Sequence, residues 1–148
     1  MKTVFDLQCR EELIQRINSL TSDKIAQWGK MNVFQMLVHS AKCEEMLLGE
    51  LKIKRVFIGK LIGKMVLNKS LKDESPFGKN SPTSPYLKTT VKSGDLEKLK
   101  KEWIGKIEQY GNQNEAGITH PFFGPMNKEQ IGRFSYKHSD HHLRQFGL

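Results

Sequence analysis

The end of the chain carries the pattern that most restricts the fold. Asn127-Lys128-Glu129-Gln130 has the form of a capping box, an Asn at the N-cap with Gln three residues on. Beyond it Ile131, Phe134, His138, His142 and Gln145 recur at steps of three and four. That spacing is the inward stripe of an amphipathic helix, and Gly147 stands where a helix C-terminus takes glycine. A stripe of this kind has to be covered by other helices. His138 and His142 therefore point inward, one turn apart on the same side. Asp140 and His141 fall off the stripe, toward solvent or a flanking seam.

Two imidazoles four residues apart on a helix can hold one divalent ion, as in a helical HExxH motif. Two ligands are too few for a structural zinc site; a catalytic site uses three and leaves a position open. An inward His pair also serves as plain core packing, so a third inward histidine is what the metal reading requires. The second helix supplies one. Asn32 with Gln35 repeats the capping pattern, and the run from Asn32 to about Gly49 is apolar over a wide arc, as in a helix enclosed by neighbours. His39 sits in the middle of it, where an unpaired imidazole is costly. Cys43, one turn on, is either a fourth ligand or core, and core suits an intracellular thiol better.

The remaining helical patterns lie at 6–20, with Leu7, Leu13, Ile14, Ile17 and Leu20, and at 94–110, with Leu96, Leu99, Trp103, Ile107 and Tyr110. Glu97 with Lys101 and Glu102 with Lys106 have the i,i+4 spacing of surface ion pairs. With 148 residues the chain is long enough for one domain, 1–148, with a sizeable core. The opening MKTVFDLQCREE has acids where a secretory leader keeps its apolar run, so no leader is expected. Cys9 and Cys43 make no disulfide framework, which points to a reducing cytoplasm.

Charge is concentrated. Residues 51–92 hold ten Lys or Arg against Asp73 and Glu74, which accounts for the entire net charge of +8. Within it, 51–68 spaces Ile53, Val56, Phe57, Leu61 and Met65 among basic residues, predicting a basic amphipathic helix lying on the other helices. Its Lys and Arg content excludes a membrane span; interfacial membrane binding is the lesser alternative. GKLIG resembles a GxxxG contact. Residues 69–92 carry Pro76, Pro82 and Pro85 and no helical period, so they form a long loop of the kind that rims a site. GNQNEAG (111–117) is a polar loop, and Pro121 and Pro125 in THPFFGPMN impose an extended entry to the last helix. His120 and the Phe pair beside it could cover a site.

WGKMNVFQMLVHSAK (28–42), HPFFGPMNKEQIGRFSYKHSDHHLRQFG (120–147) and the order of helices resemble the DinB-like superfamily, which includes YfiT-type and thiol-transferase proteins. The resemblance spans nearly the whole chain and is weakest across 51–92. It implies an all-α fold, a four-helix bundle in up-down-down-up order, here with an extra basic helix and a long Pro-containing loop. It also implies one divalent metal (nickel, zinc, iron or manganese) held by His39, His138 and His142, with His141 a competing neighbour. By that analogy the chain is a transferase activating a low-molecular-weight thiol, with Arg55, Lys60, His120 and His141 as substrate contacts and a homodimer as its assembly. A metal-dependent hydrolase is the first alternative. A non-catalytic basic module for nucleic acid or an acidic partner is the second, and it is disfavoured because few aromatics interleave with the basic residues.

Overall fold

The structure is a computed structural model that describes residues 1–113 and 117–148. Among the described residues the elements are α1 (Leu7–Asn18), α2 (Val33–Leu47), α3 (Phe57–Ser70), a 3-10 turn (Pro85–Leu87), α4 (Leu96–Gln109), β1 (Gly117–His120), β2 (Gly124–Asn127) and α5 (Lys128–Gln145). The expectation of an all-α four-helix bundle is therefore corrected. The described residues form five α-helices, and β1 and β2 form a two-stranded antiparallel sheet in the register Gly117↔Asn127 to His120↔Gly124. The polar loop expected over 111–117 falls in part on 114–116, which lie outside the described residues.

The hairpin was not visible in the sequence because each strand has only four residues and two prolines interrupt the stretch. Its turn is Pro121-Phe122-Phe123, closed by Gly124 at φ +80°, a conformation natural only to glycine. Pro125 is tolerated because a two-stranded sheet leaves each strand with a free edge. The extended entry expected from the prolines is β2 itself.

Local signals account for the helix ends. Asp6 accepts from the Cys9 amide and caps α1; Asp95 accepts from Lys98 and caps α4. Both expected capping boxes are formed, with Asn32 and Gln35 on α2 and Asn127 and Gln130 on α5 exchanging side-chain and backbone hydrogen bonds. Both α2 and α5 stop in a glycine turn. Gly147 has φ +77°, while the Leu148 amide donates to the Leu143 carbonyl and the Gly147 amide to that of Arg144. This is the paired closure that satisfies the orphan carbonyls of a helix end.

The core lies between α1, α2, α4 and α5: α4 packs on α1 and α2, and α5 on α1 and α2. Leu13, Ile17, Met36, Leu37, Leu47, Trp103, Ile107 and Leu143 are all fully enclosed there. The ion pairs on α4 differ from the expected ones. Lys100 is buried and donates to the carbonyls of Asn18 and Leu20 as well as to Glu97, and Lys106 reaches across to Glu50 and Glu45 near the end of α2. Both lysines thus tie α4 to neighbouring elements.

α3 reverses its expected orientation. The apolar residues read as its inward stripe are outside, with Phe57, Leu61 and Met65 exposed at 76%, 68% and 66%. Gly59, Gly63 and Leu67 are the buried face instead. A Cβ on Gly59 or Gly63 would run into the Phe122 backbone, so the GxxxG spacing lets α3 lie directly on the hairpin turn. Among the described residues no helix is long and apolar enough to cross a membrane.

Candidate metal centre

α2 and α5 meet with their histidines facing one another, and a buried carboxyl sets that meeting. Glu44 on α2 is fully enclosed and accepts from the hydroxyls of Tyr110 (2.7 Å), Ser135 (2.8 Å) and Ser139 (3.2 Å). Burial raises its pKa, while the three hydroxyls act the other way. The cluster ties α2 to α5 and to the end of α4. Ser139 adjoins His138 in sequence, so the same contact fixes the register in which His39 looks across at α5.

His39, His138 and His142 come together there. One ring nitrogen from each lies within 4.8 Å of the others; His39 and His142 are buried and His138 partly so. The ring centroids of the three pairs are 4.6–5.2 Å apart. Two of the rings have their tautomers set by a neighbour. His39 Nδ1 is 3.1 Å from the Leu87 carbonyl, an acceptor only, so Nδ1 carries the proton. His142 Nδ1 is 2.9 Å from Gln145 Oε1, and Gln145 donates its amide to the Trp28 carbonyl at 2.7 Å, which fixes Oε1 as the acceptor. Both rings therefore present a bare Nε2. A second partner holding Nδ1 is the arrangement that orients and tunes metal-ligating imidazoles.

His138 has no partner for Nδ1, and its Nε2 lies 3.3 Å from His39 Nε2. With its proton on Nε2 it makes one long hydrogen bond and leaves Nδ1 bare in the interior. With its proton on Nδ1, that N–H is left without an acceptor and the Nε2 lone pairs of His39 and His138 face each other, an opposition that a shared cation relieves. Two nitrogens bound to one tetrahedral ion at about 2.05 Å stand about 3.3 Å apart, so the His39–His138 separation already suits such an ion. The donor set is also kept in its ligating form. Burial lowers the pKa of His39; burial and the other imidazoles lower that of His138; and His142 is pushed down to about 3, again mainly by burial. All three are neutral at pH 7.

Aromatic rings and the long loop enclose this cluster. Phe134 stacks on His138 at 5.9 Å, Phe123 meets Phe134 edge-on, and Phe77 packs on Phe134 and His141. The loop 71–95 thus brings two groups to the centre, the Phe77 ring and the Leu87 carbonyl. Trp28 covers His141, and Lys79 lies over the Trp28 ring at 4.4 Å.

The other expected site residues are outside the three-His group, although the His141 ring meets that of His142 edge-on at 5.2 Å. His141 is half-buried between Trp28 and Phe77 and is not in the ligand cluster. His120 is buried, and its Nδ1 accepts from the amides of Phe122 and Phe123, both at 3.1 Å, so its ring closes the hairpin turn. Burial pushes its pKa down to about 4. Arg55 is exposed, lies against Gly124 and reaches the Gly59 carbonyl; Lys60 is exposed on α3. Neither hydrogen-bonds to the three imidazoles among the described residues. Cys43 is buried outside the cluster, its thiol pKa raised by burial.

Sequence reasoning missed Glu44, Leu87 and Lys79. The available signal for Glu44 was its place on the apolar stripe of α2, three or four residues from Ala41 and Leu48, while Glu45 falls outside it. A backbone carbonyl from a loop gives none.

No curated protein and no solved structure matches the chain. A family model does, over residues 2–147, and its description is a protein of unknown function (DUF1569). The chain therefore belongs to the DUF1569 family, whose function is not known.

Proposed function

We propose that His39, His138 and His142 hold one divalent cation, and that the protein uses it to activate a low-molecular-weight thiol for transfer to an electrophile. The observation that carries the first part is the pair of fixed tautomers: Leu87 and Gln145 take the Nδ1 protons of His39 and His142 and leave both Nε2 atoms bare in rings that cluster with His138. A structural core has no need to aim three neutral imidazoles at one region. Three nitrogen donors suit nickel, zinc, iron(II) or manganese.

A divalent ion in such a site supplies a Lewis acid that lowers the pKa of a thiol or water at an open position. The chain's own residues do the rest. Gln145 keeps His142 in the ligating tautomer. Phe77, Phe123, Phe134 and Trp28 surround the histidines with apolar surface that limits access of bulk water. Lys79, over the Trp28 ring, is a basic residue that could meet a carboxylate of the thiol. The thiol reading is supported by the DinB-like resemblance of the Trp28–Lys42 and His120–Gly147 stretches, and that kinship is part of the proposal.

The test is consumption of an activated alkyl or aryl halide by metal-loaded protein, with and without an added small thiol. The proposal predicts turnover only with thiol and metal together, and none with His39→Ala. Turnover that needs metal and no thiol refutes transfer and establishes hydrolysis.

A further inference from the structure

The outward face of α3 is apolar where a soluble helix is usually polar. Ten large hydrophobic side chains are exposed among the described residues, and five of them lie on this one helix: Phe57, Ile58, Leu61, Ile62 and Met65. At 100° per residue they share one arc, opposite the Gly59–Gly63–Leu67 face that rests on the hairpin. Lys60 and Lys64 lie on one side of this arc, and Lys69 ends it one turn beyond Met65. From residue 51 to residue 72 there are seven basic residues and no acid. Among the described elements α3 packs against β2 alone, and no described residue covers the arc.

We infer that α3 is a docking face for an anionic lipid surface, with the apolar arc seated among acyl chains and the flanking lysines at the phosphates. Charge selects this occupant. A second copy of the chain would bring two uniformly basic helices together. A nucleic acid would pair with the lysines and leave Leu61, Ile62 and Met65 in water. An apolar crown with basic flanks is the composition of helices that lie in the plane of a membrane. Long lysine stems reach the headgroup level while the crown stays below it.

The test is flotation of the 148-residue chain with vesicles of phosphatidylcholine alone or with phosphatidylserine added. A Phe57→Trp variant reports insertion by a blue-shifted emission. Binding is expected only to the anionic vesicles, and it should weaken as salt is raised. Lys60→Glu with Lys64→Glu should weaken it by at least about fivefold per lysine, since each basic residue near such a surface contributes roughly that factor. Leu61→Ser with Met65→Ser should abolish it while the melting temperature stays unchanged, both side chains being already in water. Absence of binding to anionic vesicles overturns the inference. So does binding that survives Leu61→Ser with Met65→Ser. A wild-type dimer in lipid-free sedimentation that these two substitutions dissociate also overturns it, and assigns the face to a second copy.

Discussion

Gln145 offers the sharpest perturbation of the proposed centre, because it touches the centre without being a ligand. Its Oε1 takes the Nδ1 proton of His142 at 2.9 Å, and its amide donates to the Trp28 carbonyl at 2.7 Å. Gln145→Met keeps similar bulk and removes both contacts. His142 is then free to carry its proton on either nitrogen. Loss of a partner of this kind costs metal affinity about 10–100-fold, or about 1.4–2.7 kcal/mol. The fold should lose about 1–3 kcal/mol as well, from two buried groups left without partners. Gln145→Glu separates the two effects. Its carboxylate still accepts from His142 but cannot donate to Trp28, so stability should fall while affinity is kept. Competition with a chromophoric chelator for zinc gives the affinities, and urea unfolding of the metal-free proteins gives the stabilities. Zinc affinity for Gln145→Met within about twofold of the parent, with stability reduced, would show that the Nδ1 contact does not govern ligation.

Glu44→Leu should destabilise the protein by about 3 kcal/mol in urea unfolding, since it leaves the Tyr110, Ser135 and Ser139 hydroxyls unmet in the interior; a loss below about 0.5 kcal/mol would deny the carboxyl its role in joining α2 to α5. Gly63→Ala should cost about 1–3 kcal/mol by pushing α3 off the Phe122 backbone, whereas Gly105→Ala on α4, with nothing within 4 Å of the new methyl, should stabilise by up to about 1 kcal/mol; equal melting temperatures would contradict the close α3–hairpin contact. His120 titrates near 6.5 when unfolded and at about 4 when folded. Between those values the unfolded chain holds the extra proton, so stability falls as pH drops through that window, by about 3 kcal/mol in all from this group. His120→Asn, whose Oδ1 can accept from the same two amides, should remove one proton from the slope of stability against pH in the metal-free protein; an unchanged slope would place the His120 ring in water.

The sequence made some elements readable and hid others for physical reasons. Helices whose faces contrast strongly, and whose ends carry Asn–Gln boxes and terminal glycines, announced themselves, as α2 and α5 did. The meeting of His39 with the α5 pair followed from periodicity, because one stripe can face only one way. α3 misled because burial there is governed by backbone proximity. Glycines with no side chain to score took the inner face, and the large apolar residues were left outside. The hairpin was hidden by its brevity. The second partners of the imidazoles were readable only in part: Gln145 lay on the same stripe as His142, but the Leu87 carbonyl comes from a loop that carries no pattern. Arg55 and Lys60 were chosen for charge alone, which does not say where a residue lies once α3 turns its glycine face inward.

The account stands on three imidazoles sharing one ion, and metal content tests that most directly. Purified protein would be stripped with chelator, offered zinc, nickel, iron(II) or manganese in turn, desalted and measured by elemental analysis. The account predicts one equivalent of at least one of these metals on the parent protein. It predicts essentially none on His39→Ala or His142→Ala, each still folded by circular dichroism, and full retention on His141→Ala. One equivalent held equally by the parent and by both His39→Ala and His142→Ala would contradict it, as would a parent protein that takes up none of the four.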